Sequence, residues 1–553
     1  MLSLLAIVTL MIGCSQRKGN QTVNVKNYAM VGIEGDIDNF NPLFAEDVTA
    51  GELNDLFYPG LVTSSFNQDK GILEYQPLIA RSWEFENEHK DLRFTIRSDA
   101  RWSDGTKVTA KDVQASYTLY ADSSVASVRQ TSVEGLRKSK DGMLNIKDAV
   151  ELVDNETVIF HFEHAYPGQL FDAGLPILPA HIFLDARRGA LLRDDSVNHH
   201  PLSSGPFRLK NWKPMQQIEL VPNETSVLPA PAKLSDLIYR IIPDYHSRLM
   251  QLNSGEIDVF PYINVEDADK LLENNPSIQI LRLGERFYDA VNWNNIDPVS
   301  YAVSKGKKIS PHPLFGNANV RRALTLAINR KEIVESYLKS FGREAIGPVS
   351  PLFRWAYNDS IRPLPFNPQQ ARDLLAAAGW RDSNGDGVLD RNGVEFSFVL
   401  KIPAGNELRS TIATVIQNQL HAVGIGVRIE QLERAVFWDD LMSKKFDAAI
   451  AGFSVPLQMQ LDELWGSDLD KARFNLTSFQ NKRVQEILSG AKAVQNEIDH
   501  AAAWKEFQAI LQREQPCTFL YWMNDLVAVN KRIKGTEIGV LGVSYHAGNW
   551  TVE

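Results

Sequence analysis

The sequence contains only two cysteines, Cys14 and Cys517, among its 553 residues. Acidic residues outnumber basic ones, 68 against 58, and the formal net charge of -10 is spread without long runs of one sign. A basic stripe that would neutralise nucleic-acid phosphates is missing, so we expect no nucleic-acid partner. A chain of this length needs more than one hydrophobic core, because single cores stop growing near ~250 to 300 residues. We therefore expect two or three lobes.

Signatures of catalysis are also missing. The sequence has no glycine-rich phosphate loop ending in Lys-Ser or Lys-Thr, no HExxH, no CxxC and no GxSxG. Ser336 and Lys339 match the Ser-x-x-Lys of penicillin-recognising enzymes, but no Lys-Thr-Gly or Ser-Asp-Asn accompanies them. Spacing alone does not test for the paired carboxylates of a glycosidase, because such pairs meet only in the folded chain. We predict a non-enzymatic protein without a cofactor, with an extracytoplasmic hydrolase as an alternative.

The first thirteen residues are almost wholly apolar and end at Gly13-Cys14, after which the chain becomes polar. This run is too short for a permanent membrane span, which needs ~20 apolar residues, and it fits a secretory signal better. The run Met11-Ile12-Gly13-Cys14 also resembles a bacterial lipobox, which implies that Cys14 is the lipidated first residue of the mature chain.

These features predict a signal peptide over residues 1–13 and a tether over residues 14–27. The protein is then extracytoplasmic, in the periplasm or at the outer face of the cell membrane, and contacts the membrane through a lipid anchor at Cys14. A buried N-terminal helix in a cytosolic protein is the alternative. Acylation of Cys14 would leave no disulfide in the mature protein, and Cys517, in an apolar run, is predicted to be an inert core thiol.

Helix and strand signals alternate along the chain, as an α/β protein requires. One helix is predicted to begin after the capping residue Asn367 and to end before Gly379. A second is predicted between Asn329 and Gly342, and a third begins after Thr109. These residues predict both ends of two helices and the start of a third.

Strand segments show a period of two. Leu92, Phe94 and Ile96 recur at every second position, as do Val158, Phe160 and Phe162, so each strand is predicted to have one face in water. Gly255 and Gly424 stand where a helix must stop before a strand begins. The sequence therefore predicts repeated helix-then-strand units.

Two segments have some features of metal sites. The segment Asp382–Asp390 carries oxygen ligands at the first, third, fifth and ninth positions of a calcium loop, with Gly387 at the sixth. Gly393 stands where that loop needs a bidentate glutamate, so we interpret the segment as a turn. His161 and His164 would face opposite sides of a strand and would not share a metal. No metal site is predicted.

Several long segments occur in a characteristic order. Residues 77–119 contain a strand with a tryptophan, a second strand, a turn at Asp104-Gly105 and a capped helix. With the segments that follow, this order resembles the family-5 extracellular solute-binding proteins, which include bacterial receptors for dipeptides, oligopeptides and nickel. The resemblance runs from about Tyr28 to about Gly535. The later matching segments are SSGPFRLKNWKPMQQIELVPNE, NVRRALTLAINRKEIV, NPQQARDLLAAAGW, residues 416–453, and the closing region from FNLTSFQNKRVQEIL through FLYWMNDLVAVNKRIKG.

The resemblance implies an α/β periplasmic-binding-protein fold of the class II, Venus-flytrap type, with two main lobes and an extra smaller lobe. Lobe I would be discontinuous, whereas lobes II and III would each be one segment. Hinge closure would trap a ligand between lobes I and III. The predicted limits are residues 28–60, 202–290 and 507–553 for lobe I, 61–201 for lobe II and 291–506 for lobe III.

The ligand pocket is expected to combine aromatic faces with a few polar groups. Three stretches near the expected lobe edges supply such residues, although each aromatic residue could instead belong to a core. In peptide-binding members of the family, an aspartate in the last of these loops pairs with the free amine of the peptide, and Asp462 is the nearest candidate here. The predicted ligand-binding residues are Asn41, Phe44, Tyr288, Asn292, Trp293, Phe453, Asp462 and Trp465.

The resemblance implies a monomeric lipoprotein that captures a peptide or similar small solute for an ABC importer. It would deliver the ligand to a permease whose ATPase is a separate chain. A ligand-sensing or chaperone-like receptor on the same fold is the alternative. A non-peptide ligand such as a nickel complex, an oligosaccharide or an opine-like solute also stays open.

Overall fold

The computed structural model describes residues 27–184, 195–227 and 230–553. The predicted signal peptide, the lipidation site Cys14 and nearly all of the predicted tether lie outside this part of the chain. Among the residues described, no helix is both long enough and apolar enough to cross a membrane.

The first sheet has seven strands, all from segments predicted for lobe I. Tyr28–Ile33 runs parallel to Asp236–Ile241 and to Val259–Pro261. Leu526–Asn530, from the end of the chain, lies between Val259–Pro261 and Ile278–Arg282 and is antiparallel to both. In spatial order the strands are Ile278–Arg282, Leu526–Asn530, Val259–Pro261, Tyr28–Ile33, Asp236–Ile241, Gln217–Pro222 and Phe207–Lys213.

The second sheet has six strands. Phe287–Trp293 pairs on one side with Ala448–Ser454 and on the other with Cys517–Met523. Cys517–Met523 and residues 287–290 were predicted to belong to lobe I, but both are part of this sheet, whose other strands come from the segment predicted for lobe III. In spatial order the strands are Gly342–Glu344, Cys517–Met523, Phe287–Trp293, Ala448–Ser454, Ser397–Pro403 and Gly426–Leu432.

The chain passes between these two sheets twice. Residues 283–286 lead from the first sheet to the second, and residues 524–525 lead back. The two crossings lie side by side, because the backbone N–H of Leu283 donates to the carbonyl of Asp525 at 2.9 Å. The two sheets are therefore joined by two short connections that lie next to each other.

Lobe II contains a smaller antiparallel sheet. Its four strands, in spatial order, are Ala80–Glu86, Asp91–Ile96, Thr157–His161 and Val150–Leu152. The remaining strands form three two-stranded ladders: Val62–Asn67 with Ile72–Pro77, Asp390–Arg391 with Val394–Glu395, and Ile533–Lys534 with Thr551–Val552.

The α-helices connect the strands of these sheets. Those of the described residues are Val48–Phe57, Ala110–Ala121, Ile146–Ala149, Gln169–Asp172, Ala180–Phe183, Asp195–Asn198, Tyr245–Ser254, Val265–Asn274, Pro298–Val303, Ala318–Ala327, Arg330–Ile333, Pro368–Ala377, Glu407–His421, Arg434–Met442, Asp462–Trp465, Lys482–Ala491 and Ala501–Glu514.

The predicted helix starts are confirmed by their caps. The Asn367 side chain accepts from the backbone N–H of Gln370 at 3.0 Å, and Gly379 has a φ of 88° after the helix. The backbone N–H of Thr109 donates to the carboxylate of Asp112 at 2.7 Å. Each cap satisfies a backbone donor that the first turn leaves free.

The helix predicted between Asn329 and Gly342 is α-helical only over Arg330–Ile333. It continues as a π-turn over Val334–Leu338 and a short 3₁₀ turn up to Phe341. Lys339 has a φ of 50°, in the left-handed region that side chains other than glycine disfavour. The cap at Asn329 is confirmed, whereas a regular helix up to Gly342 is wrong.

The two strands that were predicted to expose one face to water differ in their burial. In Asp91–Ile96, Leu92, Phe94 and Ile96 are buried and alternate with partly exposed residues, as expected. In Thr157–His161, however, the expected wet face is buried, since Ile159 and His161 are 6% and 7% exposed. The His161 ring contacts the carboxylates of Asp91 and Glu151, and these neighbours cover that face.

A buried ion pair fastens a helix to the second sheet. Arg409, in the first turn of Glu407–His421, donates two hydrogen bonds to the Asp289 carboxylate, at 2.7 and 3.1 Å. The Tyr521 hydroxyl donates to the same carboxylate at 2.7 Å. The Asp289 side chain is 3% exposed and that of Arg409 12% exposed. Removing either partner of such a buried pair would leave an uncompensated charge inside the protein and would destabilise the fold.

Candidate functional site

A cavity of about 980 Å³ lies between lobe II and lobe III. Lobe II contributes the strand Ile72–Pro77 and residues 131–135 and 164–172, and lobe III contributes residues 453–464 and 491–504. The sequence placed the ligand between lobes I and III, so the cavity involves a different pair. Its aromatic lining consists of Tyr75, Tyr166, Phe171, Trp355, Phe453, Phe474 and Trp504.

Two contacts hold lobes II and III together at one edge of the cavity. The indole N–H of Trp355 donates to the carbonyl of Gly71 at 3.0 Å. The rings of Phe66 and Phe353 meet edge to face with their centroids 6.5 Å apart. The structure is therefore closed at this edge.

The loop that follows the strand Ala448–Ser454 forms the lobe III wall. Arg286, in the first crossing segment, fixes its start: the backbone N–H of Val455 donates to the Arg286 carbonyl, and Arg286 Nε donates to the Val455 carbonyl, both at 2.9 Å. Another nitrogen of Arg286, Nη1, donates to the Val540 carbonyl at 3.0 Å. Burial lowers the pKa of Arg286. Glycine is needed at position 452, because a Cβ there would lie 1.8 Å from the Tyr288 carbonyl oxygen.

Two of the predicted ligand-binding residues line this cavity. Phe453 is partly buried, with its ring centroid 5.9 Å from that of Phe474. Asp462 begins the helix Asp462–Trp465, and its carboxylate lies 3.2 Å from the ammonium of Lys492. The carboxylate that the sequence offered to a peptide amine therefore already has a cationic partner.

The other predicted residues contact protein groups away from this cavity. Trp465 and Tyr288 are 3% exposed, with the Tyr288 ring against Phe519 and Trp522. The Asn292 amide donates to the Ala290 and Ala451 carbonyls, and the Trp293 indole donates to Thr518 Oγ1 at 3.1 Å. In the N-terminal segment, Asn41 is bonded to Asn198 at 2.9 Å, and Phe44 packs against the core of lobes I and II. These surroundings agree with the core alternative.

The cavity also contains two carboxylates that the sequence did not point to. Burial raises the pKa of Asp172 to about 7, although the Tyr166 hydroxyl donates to it at 2.6 Å. Burial likewise raises the pKa of Glu497 to about 7. Neither segment has a motif that could have indicated this, because the cavity is assembled from distant parts of the chain.

A second cavity, of about 490 Å³, adjoins the first, and Tyr75 and Phe171 line both. It lies between lobes I and II. Asp55 lines it, and burial raises the Asp55 pKa to about 6, an effect that the charge of Arg129 partly offsets. Glu52 accepts from backbone N–H groups of the C-terminal segment. The two cavities together could hold an elongated molecule.

The predicted turn at Asp382–Asp390 is held by its own side chains. The Asp382 carboxylate accepts from the backbone N–H groups of Gly385 and Gly387, at 2.6 and 3.0 Å. Within the described part of the chain, no group of three or more His, Cys, Asp or Glu residues is arranged to hold a metal ion. Cys517 is 1% exposed, and burial raises the pKa of its thiol well above the usual value.

Comparison with known proteins matches residues 74–462 to the model of the bacterial extracellular solute-binding proteins, family 5. The chain belongs to this family. This solute-binding protein is 27% identical to the oligopeptide-binding protein AppA of Bacillus subtilis, over 100% of this chain and 98% of AppA. It is 24% identical to the probable D,D-dipeptide-binding periplasmic protein DdpA of Escherichia coli, over 92% of this chain and 91% of that protein.

Solved structures of the family agree with this fold. AppA from Bacillus subtilis, in complex with a nonapeptide, superposes with a TM-score of 0.72 over 95% of this chain and 99% of its own. NikZ from Campylobacter jejuni, in complex with Ni(L-His), is 23% identical and gives a TM-score of 0.74 over 95% of this chain and 99% of its own. The predicted class II binding-protein fold is confirmed.

Proposed function

We propose that this solute-binding protein captures a peptide or a similar small solute in the cavity between lobes II and III. It then delivers the solute to an ABC permease driven by a separate ATPase chain. The observation that carries the proposal is the cavity of about 980 Å³ itself, which is large enough for a small ligand and is lined by seven aromatic rings. Binding without chemical change of the ligand is the proposed task.

Closure around the ligand would use the two crossing segments, residues 283–286 and 524–525. We propose that lobe III comprises residues 287–523 and moves as a unit about these segments. The contact of Trp355 with Gly71 would break on opening, because its two residues lie on the two moving parts. A ligand that bridges lobes II and III then stabilises the closed state.

A peptide ligand is supported by the nonapeptide bound to AppA, a relative whose similarity extends over 100% of this chain. The pairing of Asp462 with Lys492 argues against an amine anchor at Asp462 like that expected from the family. A peptide would therefore be held mainly through other contacts. A non-peptide solute would need no such anchor, and it is an outcome of the test below.

We also propose that the protein is extracytoplasmic, monomeric and anchored through a lipid on Cys14. The short apolar run before Cys14 and the lipobox-like residues support this proposal. Replacing Cys14 by alanine should move the protein from the membrane fraction to the soluble fraction. Unchanged membrane association of the C14A variant would contradict the anchor.

The direct test is native mass spectrometry of the protein expressed from Ser15 onward. We expect co-purifying mass that leaves on mild unfolding, with a ladder of peptide masses if the ligand is peptide. Small-angle scattering with and without a peptide library should then show closure. A protein that neither carries nor binds any peptide and never changes shape would contradict peptide capture, and a single defined mass would identify a non-peptide solute.

A further inference from the structure

We propose that the cavity between lobes II and III selects solutes that carry a positively charged group beside an apolar or aromatic part. This inference rests on the proposed binding function and specifies the chemistry of its ligand. It follows from the charges, the unpaired acid and the aromatic rings that line the cavity.

The charged lining is strongly acidic. Five carboxylates line the cavity, and Lys492 is the single lysine or arginine among its lining residues. The Lys492 ammonium is already taken up by Asp462, at 3.2 Å. A ligand carboxylate would thus meet no available arginine or lysine in this cavity, whereas a ligand cation would meet several acids. The five acids are Glu134, Asp172, Asp462, Glu463 and Glu497.

Glu497 is an acid of the cavity wall whose carboxylate lacks a partner. Its carboxylate lines the cavity and has neither a hydrogen bond nor an ion pair with any of the described residues. A partly buried carboxylate in this situation lacks the compensation that an opposite charge would supply. Burial raises the pKa of this carboxyl group, and a bound cation would lower the pKa again. A ligand ammonium or guanidinium would supply the missing partner.

The aromatic lining fits the same ligand. Tyr75 lines both cavities, and burial raises the pKa of its phenol, with a further rise from the charge of the nearby Glu497 carboxylate. Trp355, which is partly buried, adds an indole ring to the wall, and the buried Trp504 lies behind it. A cation over an aromatic face gains from the ring quadrupole, and indole gives the largest gain. Aromatic rings beside an unpaired acid therefore favour a cation with an apolar body.

The adjoining cavity has the same sign of charge. Asp55 and Glu52 line it with Arg129, so acids again outnumber bases. The Arg129 Nε donates to the carbonyl of Pro42 at 3.2 Å, which occupies part of that guanidinium. An elongated ligand that passes Tyr75 would remain in an acidic environment.

The test uses three pentapeptides with an acetylated N-terminus and a free C-terminus that differ only in their central residue, which is lysine, glutamine or glutamate, so that only the lysine peptide carries a cation. Their dissociation constants are measured by calorimetry at low and at physiological salt. We expect the lysine peptide to bind at least about tenfold more tightly than the glutamate peptide, with the glutamine peptide between them. Tenfold corresponds to ~1.4 kcal/mol.

Two variants assign the effect to Glu497. E497Q should weaken the lysine peptide about tenfold and leave the glutamine peptide within twofold. E335Q is the matched control, because Glu335 is 66% exposed on another helix, and it should change neither constant. Equal loss for the lysine and glutamine peptides in E497Q would mean a structural role and would overturn the assignment to charge.

Other outcomes separate this inference from peptide capture. Equal binding of all three peptides would overturn the preference for cations while leaving peptide capture intact. If no peptide binds, peptide capture fails, and 2-phenylethylamine is compared with 3-phenylpropionate, which have an aromatic body and opposite charges. Binding of the amine alone would support the inference, and equal or reversed binding would overturn it.

Discussion

Removing the buried carboxylate of Asp289 should destabilise lobe III far more than removing an exposed acid. In D289A, Arg409 would keep its charge inside the protein without the two hydrogen bonds at 2.7 and 3.1 Å that now satisfy it. Breaking one partner of a buried pair costs about 3–5 kcal/mol. For a cooperative unit of 150–250 residues, each kcal/mol lowers Tm by about 2–4 °C, so the expected drop is about 6–20 °C.

The assay is calorimetry together with urea unfolding followed by tryptophan fluorescence. The control is E335A, which removes an exposed acid paired with Lys331 at 3.7 Å and should cost less than about 0.5 kcal/mol. The double variant D289L/R409M removes both charges and should lose less stability than D289A alone. A cost below about 1 kcal/mol for D289A, or a double variant less stable than D289A, would refute the reasoning.

Three further predictions concern the cavity. G452A should lower the free energy of unfolding in urea by about 1–3 kcal/mol, because the added Cβ would displace the Tyr288 carbonyl. It should also weaken ligand binding by displacing the loop after the strand Ala448–Ser454. Unchanged binding would show that this loop does not contact the ligand. K492A should release Asp462 from its ion pair and tighten binding of the lysine peptide. The control K482A removes a lysine that is 94% exposed and should leave binding unchanged. Equal effects of the two variants would exclude the Asp462–Lys492 pair as the cause. Burial raises the pKa of Glu497 from 4.5 to about 7, so between these pH values the folded state holds a proton that the unfolded state has lost. The contribution of this group to the free energy of unfolding is therefore complete below pH 4.5 and is lost as the pH rises through 7. The urea midpoint of E497Q should therefore rise relative to that of the unchanged protein between pH 5 and pH 8, and parallel pH profiles would contradict this origin.

The sequence predicts the parts of the fold that depend on local chemistry. The caps at Asn367 and Thr109 follow from side chains that satisfy backbone donors within three residues. The π-turn after Ile333 could not be predicted in this way. There the sequence has a regular helical pattern, and the helix is interrupted where it meets the strand Gly342–Glu344.

The site is less predictable because neighbouring aromatic residues have different surroundings. Tyr288 and Phe453 are direct partners in the ladder of the second sheet. Tyr288 also meets Phe519 and Trp522 and is buried, whereas Phe453 lies near the end of its strand and reaches the cavity. Both follow apolar strand residues, so local pattern does not separate them. The same holds for Glu497, which lines the cavity together with residues of the strand Ile72–Pro77, far away in the sequence.

The position of Leu526–Asn530 in the first sheet has a consequence for the order of assembly. This strand follows the other six strands of the sheet in the sequence, yet it fills the gap between Val259–Pro261 and Ile278–Arg282. Until it is available, those two strands have no ladder between them, and the first sheet stays divided. Lobe III can form earlier, since its strands all precede residue 524. The first sheet is therefore complete only once residue 530 has been synthesised, whereas the second sheet needs no residue beyond 523.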